Sequence, residues 1–125
     1  MSALLESGQM YLETILILSN KSNYVRAIDV GEYMGYAKPS VSRALSRLKA
    51  DGYVLADEDG YLTLTDSGLK VARTIYERHT VLTDCLQKLG VDKEIAAQDA
   101  CRIEHVISPD TFDALKRHIH KKQQV

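Results

Sequence analysis

At 125 residues, with 45% hydrophobic and 26% charged residues, the chain has the length and balance of one ordinary globular fold, which excludes a disordered or fibrous protein. A formal net charge of -1 excludes a general polyanion binder, and two cysteines are too few for a disulfide framework. No basic N-terminal region leads into an apolar run and no stretch is long enough to cross a bilayer, so a cytoplasmic protein with free thiols at Cys85 and Cys101 is expected.

In chain order, Leu4, Leu5, Tyr11, Leu12, Ile15 and Leu16 follow the three-four spacing of a helix with one buried stripe, ended by Asn20, Ser22 and Asn23. A shorter helix from about Ala27 to Met34, with Ile28, Val30 and Met34 inward, stops at Gly35, a residue suited to a left-handed helix end. A third starts near Lys38-Pro39-Ser40, since proline is tolerated in a first helical turn, and carries Val41, Leu45 and Leu48 inward. Its opposite face carries Pro39, Ser40, Arg43, Ser46 and Arg47. The pattern then turns to β: runs 53–56 and 61–65, joined by Asp57-Glu58-Asp59-Gly60, predict a hairpin. Asp66-Ser67-Gly68 introduces a long helix over Leu69–Leu89, with Ala72, Ile75, Tyr76, His79, Leu82 and Leu86 along one stripe. A helix over Lys93–Ile107 and a last one over Asp110–Lys122 follow, separated by Ser108-Pro109. The terminal Lys116, Arg117, Lys121 and Lys122 read as a solvated end.

Helix, turn, helix, hairpin is the order of a winged helix. The fold class is therefore mainly α: an N-terminal winged helix-turn-helix of three helices plus a β-hairpin in residues 1–68, then an α-helical domain in residues 69–125. Charge separates along the same line. Residues 21–50 hold six cations (Lys21, Arg26, Lys38, Arg43, Arg47, Lys49) against Asp29 and Glu32, a balance of +4; residues 91–109 hold Asp92, Glu94, Asp99 and Glu104 against Lys93 and Arg102, a balance of -2. The basic helix suits the major groove of DNA, with Ser40 and Arg43 placed to read base edges, Lys38, Ser42, Arg47 and Lys49 suited to phosphate contacts, and Pro39 on the same DNA-binding surface. A helical hairpin in a partner-binding domain, with an ordinary basic face, is the competing reading. The acidic tip Asp57-Glu58-Asp59 would repel phosphates, so the wing is expected to contribute little on DNA.

In the acidic half, Cys101-Arg102-Ile103-Glu104-His105 spaces a thiolate, a carboxylate and an imidazole at i, i+3 and i+4, which on a helix share one face. Those donors suit a late first-row divalent metal better than Mg²⁺ or Ca²⁺. Alone, the run fits equally a buried cysteine beside an exposed Glu-His pair. His79 lies within an apolar stripe, where an imidazole requires a partner, although a lone histidine there also fits an ordinary core residue. Met10 and Glu13 add a thioether and a carboxylate one turn apart on the first helix, and each alone reads as core and as surface charge. Cys85 has no second donor at metal spacing, and His118 and His120 point to different sides of a helix; none of these receives a role.

These residues together resemble the iron- and manganese-dependent repressors typified by diphtheria toxin repressor and the manganese transport regulator. The likeness covers nearly the whole chain and rests on Gln9-Met10-Tyr11-Leu12-Glu13, Pro39-Ser40-Val41-Ser42-Arg43, Leu64-Thr65-Asp66-Ser67-Gly68, Arg78-His79 and 100–108. It implies a homodimer that binds a palindromic operator when loaded with Fe²⁺ or Mn²⁺, with Zn²⁺, Co²⁺ or Ni²⁺ as substitutes, and represses metal-uptake genes. It also implies metal ligands at Met10, Glu13, His79, Cys101, Glu104 and His105. Met10 and Cys101 resemble the iron-type members and Glu13 the manganese-type ones. Thr83 and Ala97 stand where the iron-type ancillary site has Glu and His, and the C-terminal SH3-like domain of larger members is expected to be absent. Two rivals belong to other classes: a winged-helix regulator sensing an organic ligand or thiol oxidation, and a zinc enzyme, for which an acid-base pair is wanting.

Overall fold

The structure is a computed structural model that describes residues 6–123, with side chains described as far as Ile119. It divides into two compact units, one through Thr74 and one from Ile75, with the boundary inside the longest helix. Leu4 and Leu5 lie outside the described residues, as do the side chains of His120, Lys121 and Lys122.

In the first unit, α1 (Glu6–Lys21), α2 (Ala27–Met34) and α3 (Lys38–Ala50) precede a hairpin of β1 (Val54–Ala56) and β2 (Leu62–Leu64), after which α4 (Asp66–Lys88) begins. The three-four spacing acts as expected: α1 buries Tyr11, Leu12 and Ile15, and α3 buries Val41, Leu45 and Leu48. Gly35 ends α2 at φ 72°, a left-handed conformation available to glycine at no steric cost. The antiparallel register pairs Val54 with Leu64, Leu55 with Thr63 and Ala56 with Leu62. The Leu62 amide also donates to the Val25 carbonyl at 2.7 Å, tying the segment before α2 to the hairpin. One core unites Leu12, Ile15, Val30, Val41, Leu45, Leu48, Val54, Leu62 and Ala72.

Thr65 caps α4. Its hydroxyl accepts from the Gly68 amide at 3.1 Å and donates to the Gly52 carbonyl at 2.7 Å, while its own amide donates to the Tyr53 carbonyl at 3.1 Å. The start of α4 is thereby fixed to the α3–β1 corner, and Gly68 lies against the Tyr53 carbonyl so closely that no Cβ fits between them.

The second unit contains the rest of α4 with α5 (Lys93–Ile103) and α6 (Pro109–Gln123). Gly90, at φ 103°, turns the chain after α4, and the Asp92 carboxylate caps α5 by accepting from the Glu94 amide at 3.2 Å. Ile75, Leu82, Ala96, Ala100, Phe112 and Ile119 are buried. Lys116 is more than a solvated end, since it pairs with Glu77 at 3.1 Å.

Three expectations are corrected. Ile28 is 66% exposed, because it stands two residues from buried Val30, about 200° around the helix, and the two cannot share a stripe. Tyr76 is 44% exposed, displaced to the edge of the stripe Ala72, Ile75, Leu82. The fifth helix ends at Ile103, four residues early, because the Ile103 carbonyl receives both the Val106 amide at 3.0 Å and the Ile107 amide at 2.9 Å in a closing turn.

Candidate functional site

The face of α3 opposite its buried stripe of Val41, Leu45 and Leu48 is exposed as expected at Pro39, Ser40, Arg43, Ser46 and Arg47, and the other DNA-binding candidates, Lys38, Ser42 and Lys49, are exposed too. This juxtaposition leaves short polar side chains and two guanidinium groups facing outward from a helix of groove-fitting diameter. The hairpin tip Asp57-Glu58-Asp59 is exposed and acidic, with the Asp57 carboxylate folded back to accept from the Asp59 and Tyr61 amides at 2.9 Å each. Beside it lies a cation that the sequence reading did not single out: the Arg26 guanidinium sits 4.4 Å from the centre of the Tyr61 ring.

In the second unit the centre of interest is Glu104. Its side chain is wholly buried, and its two oxygens face two imidazoles: Oε2 lies 2.9 Å from Nδ1 of His79, and Oε1 lies 3.3 Å from Nε2 of His105, whose side chain is also fully enclosed. Glu104 Oε1 makes no hydrogen bond. A buried carboxylate is costly unless a cation or strong donors compensate it. The partner that His79 required on its apolar stripe is thus Glu104. Glu104 keeps a helical conformation as the cap residue of α5 (φ -58°, ψ -25°), whereas His105 belongs to the turn, so the motif works across a helix end and not along one face.

The donor set fits a first-row divalent ion. Two ligands each about 2.1 Å from one ion and at right angles to it stand about 3 Å apart, the scale of both carboxylate–imidazole separations. Cys101, half-buried, lies one helical turn before Glu104. Met10 and Glu13 stand one turn apart on α1, where the Met10 carbonyl accepts from the Thr14 hydroxyl at 2.9 Å.

Comparison with known proteins decides the family. Residues 3–62 match the model of the iron dependent repressor N-terminal DNA binding domain, and residues 65–124 match that of the iron dependent repressor metal binding and dimerisation domain. The chain belongs to the iron-dependent repressor family. It is 31% identical over 109 residues to the HTH-type transcriptional regulator MntR of Lysinibacillus sphaericus, covering 87% of this chain and 78% of that one. With the transcriptional regulator MntR of Salmonella typhimurium it shares 35% over 104 residues, 83% of this chain and 66% of that one. A solved manganese-dependent transcriptional repressor in complex with manganese superposes at TM-score 0.83 with 25% identity, over 90% of this chain and 52% of that one. The hypothetical protein SSo2273 of Sulfolobus solfataricus has the same fold at TM-score 0.72 and 24% identity, over 94% of this chain and 91% of its own.

As an iron-dependent repressor, the chain is a metal-dependent transcriptional regulator with a DNA-binding winged helix and a metal-binding, dimerising helical part, and not an enzyme. No helix among the described residues is long and apolar enough to cross a membrane. Cys85 is half-buried and its thiol is pushed up by burial first and by Asp84 second, with Lys88 partly offsetting them, so it stays protonated at neutral pH.

Proposed function

We propose that this chain acts as a homodimer that closes on a two-fold operator when Mn²⁺ or Fe²⁺ fills a centre made by Met10, Glu13, His79, Cys101, Glu104 and His105. The observation that carries the proposal is the buried Glu104 carboxylate set between two imidazole nitrogens. In this reading residues 1–68 read DNA and residues 69–125 bind metal and dimerise. Exposed Leu89, Ile95 and Val106, at 79%, 52% and 75%, supply apolar surface in that second part for a second copy to cover. Regulation of genes places the working protein in the cytoplasm, where metal uptake is the process such a switch would govern.

When bound, the metal supplies the positive charge that the buried carboxylate lacks. Glu104, His79 and His105 would hold it from α4 and the end of α5, and Met10 and Glu13 would add donors from α1. Fixing α1 in this way sets the separation of the two α3 helices in a dimer, which half-sites one DNA turn apart require. Metal and operator then raise each other's affinity by the same factor. A mobility assay on operator DNA at fixed salt tests this: equal affinity with chelator and with Mn²⁺ or Fe²⁺ would refute it.

Two substitutions extend the test. Arg43→Ala is expected to cost about 1–3 kcal/mol of discrimination between operator bases, whereas Arg47→Ala should weaken all sequences alike and reduce the slope of log affinity against log salt by about 1. Equal losses on operator and random DNA for Arg43→Ala would remove it from base reading. At the metal, thiolate favours Fe²⁺, Co²⁺ and Zn²⁺ over Mn²⁺, so Cys101→Ser should lower Co²⁺ affinity more than Mn²⁺ affinity in competition titrations. Parallel losses for the two metals would exclude Cys101 as a ligand.

A further inference from the structure

Arg78 precedes His79 on α4, and both hydrogen bonds of its Nη1 run to main-chain carbonyls of the turn after α5: Glu104 O at 3.1 Å and Ile107 O at 3.0 Å. Its guanidinium carbon lies 5.6 Å from the centre of the Phe112 ring on α6, and its Nε is buried. One side chain thus touches both ends of the four-residue segment that carries Glu104 and His105. That segment lies beyond the last residue of α5, Ile103, and is tied back to the helix by the Glu104 amide on the Ala100 carbonyl and by the Val106 and Ile107 amides on the Ile103 carbonyl. A guanidinium beside a buried carboxylate ordinarily pairs with it in a strong two-pronged bond. Here it takes the backbone oxygen of Glu104, and the carboxylate of the same residue faces the two imidazoles.

We propose that Arg78 is a positioning residue for the metal centre: it locks the Glu104–Ile107 turn to α4, holding the Glu104 and His105 donors against His79 before metal arrives. The inference rests on the reading that Glu104 and His105 are ligands. A pre-set turn loses little further freedom on metal binding, so affinity and coordination geometry both depend on it. Arginine suits the task because one Nη1 amino group carries two N–H donors, one for each carbonyl, while the guanidinium lies over the Phe112 ring and stays charged next to the carbonyl-rich end of α5.

The test compares the full-length chain with Arg78→Gln, Arg78→Lys, Glu104→Gln and, as a structural control, Lys116→Ala, which removes only the exposed α4–α6 pair with Glu77. The readouts are Co²⁺ affinity, the Co²⁺ absorption spectrum and, in metal-free protein, amide exchange at Val106 and Ile107. Arg78→Gln is expected to weaken Co²⁺ binding roughly 10–100-fold, to alter the spectrum and to speed exchange at both amides, with Arg78→Lys intermediate and Lys116→Ala unchanged. Should Arg78→Gln not fold, Arg78→Lys decides by the same readouts. A wild-type spectrum and affinity in the Arg78 variants, while Glu104→Gln loses Co²⁺, would overturn the role of Arg78 alone. Co²⁺ binding by Glu104→Gln at wild-type strength would overturn the ligand reading beneath it.

Discussion

Glu104→Gln should abolish metal-dependent operator binding while leaving the metal-free chain as stable as the parent or more so. The two halves of this expectation have one cause. In the metal-free protein the Glu104 side chain is 0% exposed and, although its Oε2 meets His79 Nδ1 at 2.9 Å, its Oε1 makes no hydrogen bond, so a buried polar atom is left only partly satisfied in the folded state. An amide of the same shape carries no charge, and its stability should not fall. It also cannot neutralise a divalent ion. Residues that merely support ligands cost about 10–100-fold in metal affinity when changed, so loss of the central carboxylate should cost at least about 100-fold. Metal at about 100 times its dissociation constant stabilises a folded protein by about 2.7 kcal/mol. Thermal unfolding should therefore show a metal-induced rise in Tm for the parent and none for Glu104→Gln. A variant that still gains Tm with Mn²⁺ and still shifts operator DNA would remove Glu104 from the centre.

Gly68→Ala should be the most damaging small substitution in the DNA-reading unit. An added Cβ at Gly68 would be driven into the Tyr53 carbonyl, a backbone atom that cannot turn aside. That carbonyl also accepts the Thr65 amide, and Thr65 in turn holds the Gly52 carbonyl and the Gly68 amide. Relief of the clash must therefore part α4 from the α3–β1 corner and break the cap. Overpacking of this kind costs about 3 kcal/mol at its upper range, a large fraction of a typical total stability of about 5–15 kcal/mol. For a chain of this size it corresponds to a fall in Tm of roughly 10 °C. Ser67→Ala, exposed and one residue earlier, is the control and should leave Tm nearly unchanged. A Gly68→Ala protein melting within a few degrees of the parent would show that the corner yields more readily than its hydrogen bonds indicate.

Much of the fold was legible in local chemistry. The stripes of α1 and α3, Pro39 in a first turn, the stop at Gly35 and the two β-prone runs each follow from steric rules or side-chain periodicity acting over a few residues. Misreadings arose where periodicity was short or contested. Eight residues of α2 expose Ile28 because one buried position, Val30, sets the rotation of the whole helix. The end of α5 depends on a choice between hydrogen-bonding partners at Ile103 that residue identities do not state.

Residue identities and spacing were enough for the set of donors, the basic outer face of α3 and, through the likeness to a known family, the expectation of a metal-responsive regulator. Spacing could bring Glu104 and His105 together, since they are neighbours, but His79 lies 25 residues away, and only the packed second unit sets its Nδ1 at 2.9 Å from Glu104 Oε2. The same holds for Arg78, whose partners Glu104 and Ile107 are 26 and 29 residues distant and are backbone carbonyls. Every residue has a backbone carbonyl, so no pattern of side chains announces which ones an arginine will meet. That selection belongs to the tertiary fold, where burial leaves each polar group a single set of partners within reach.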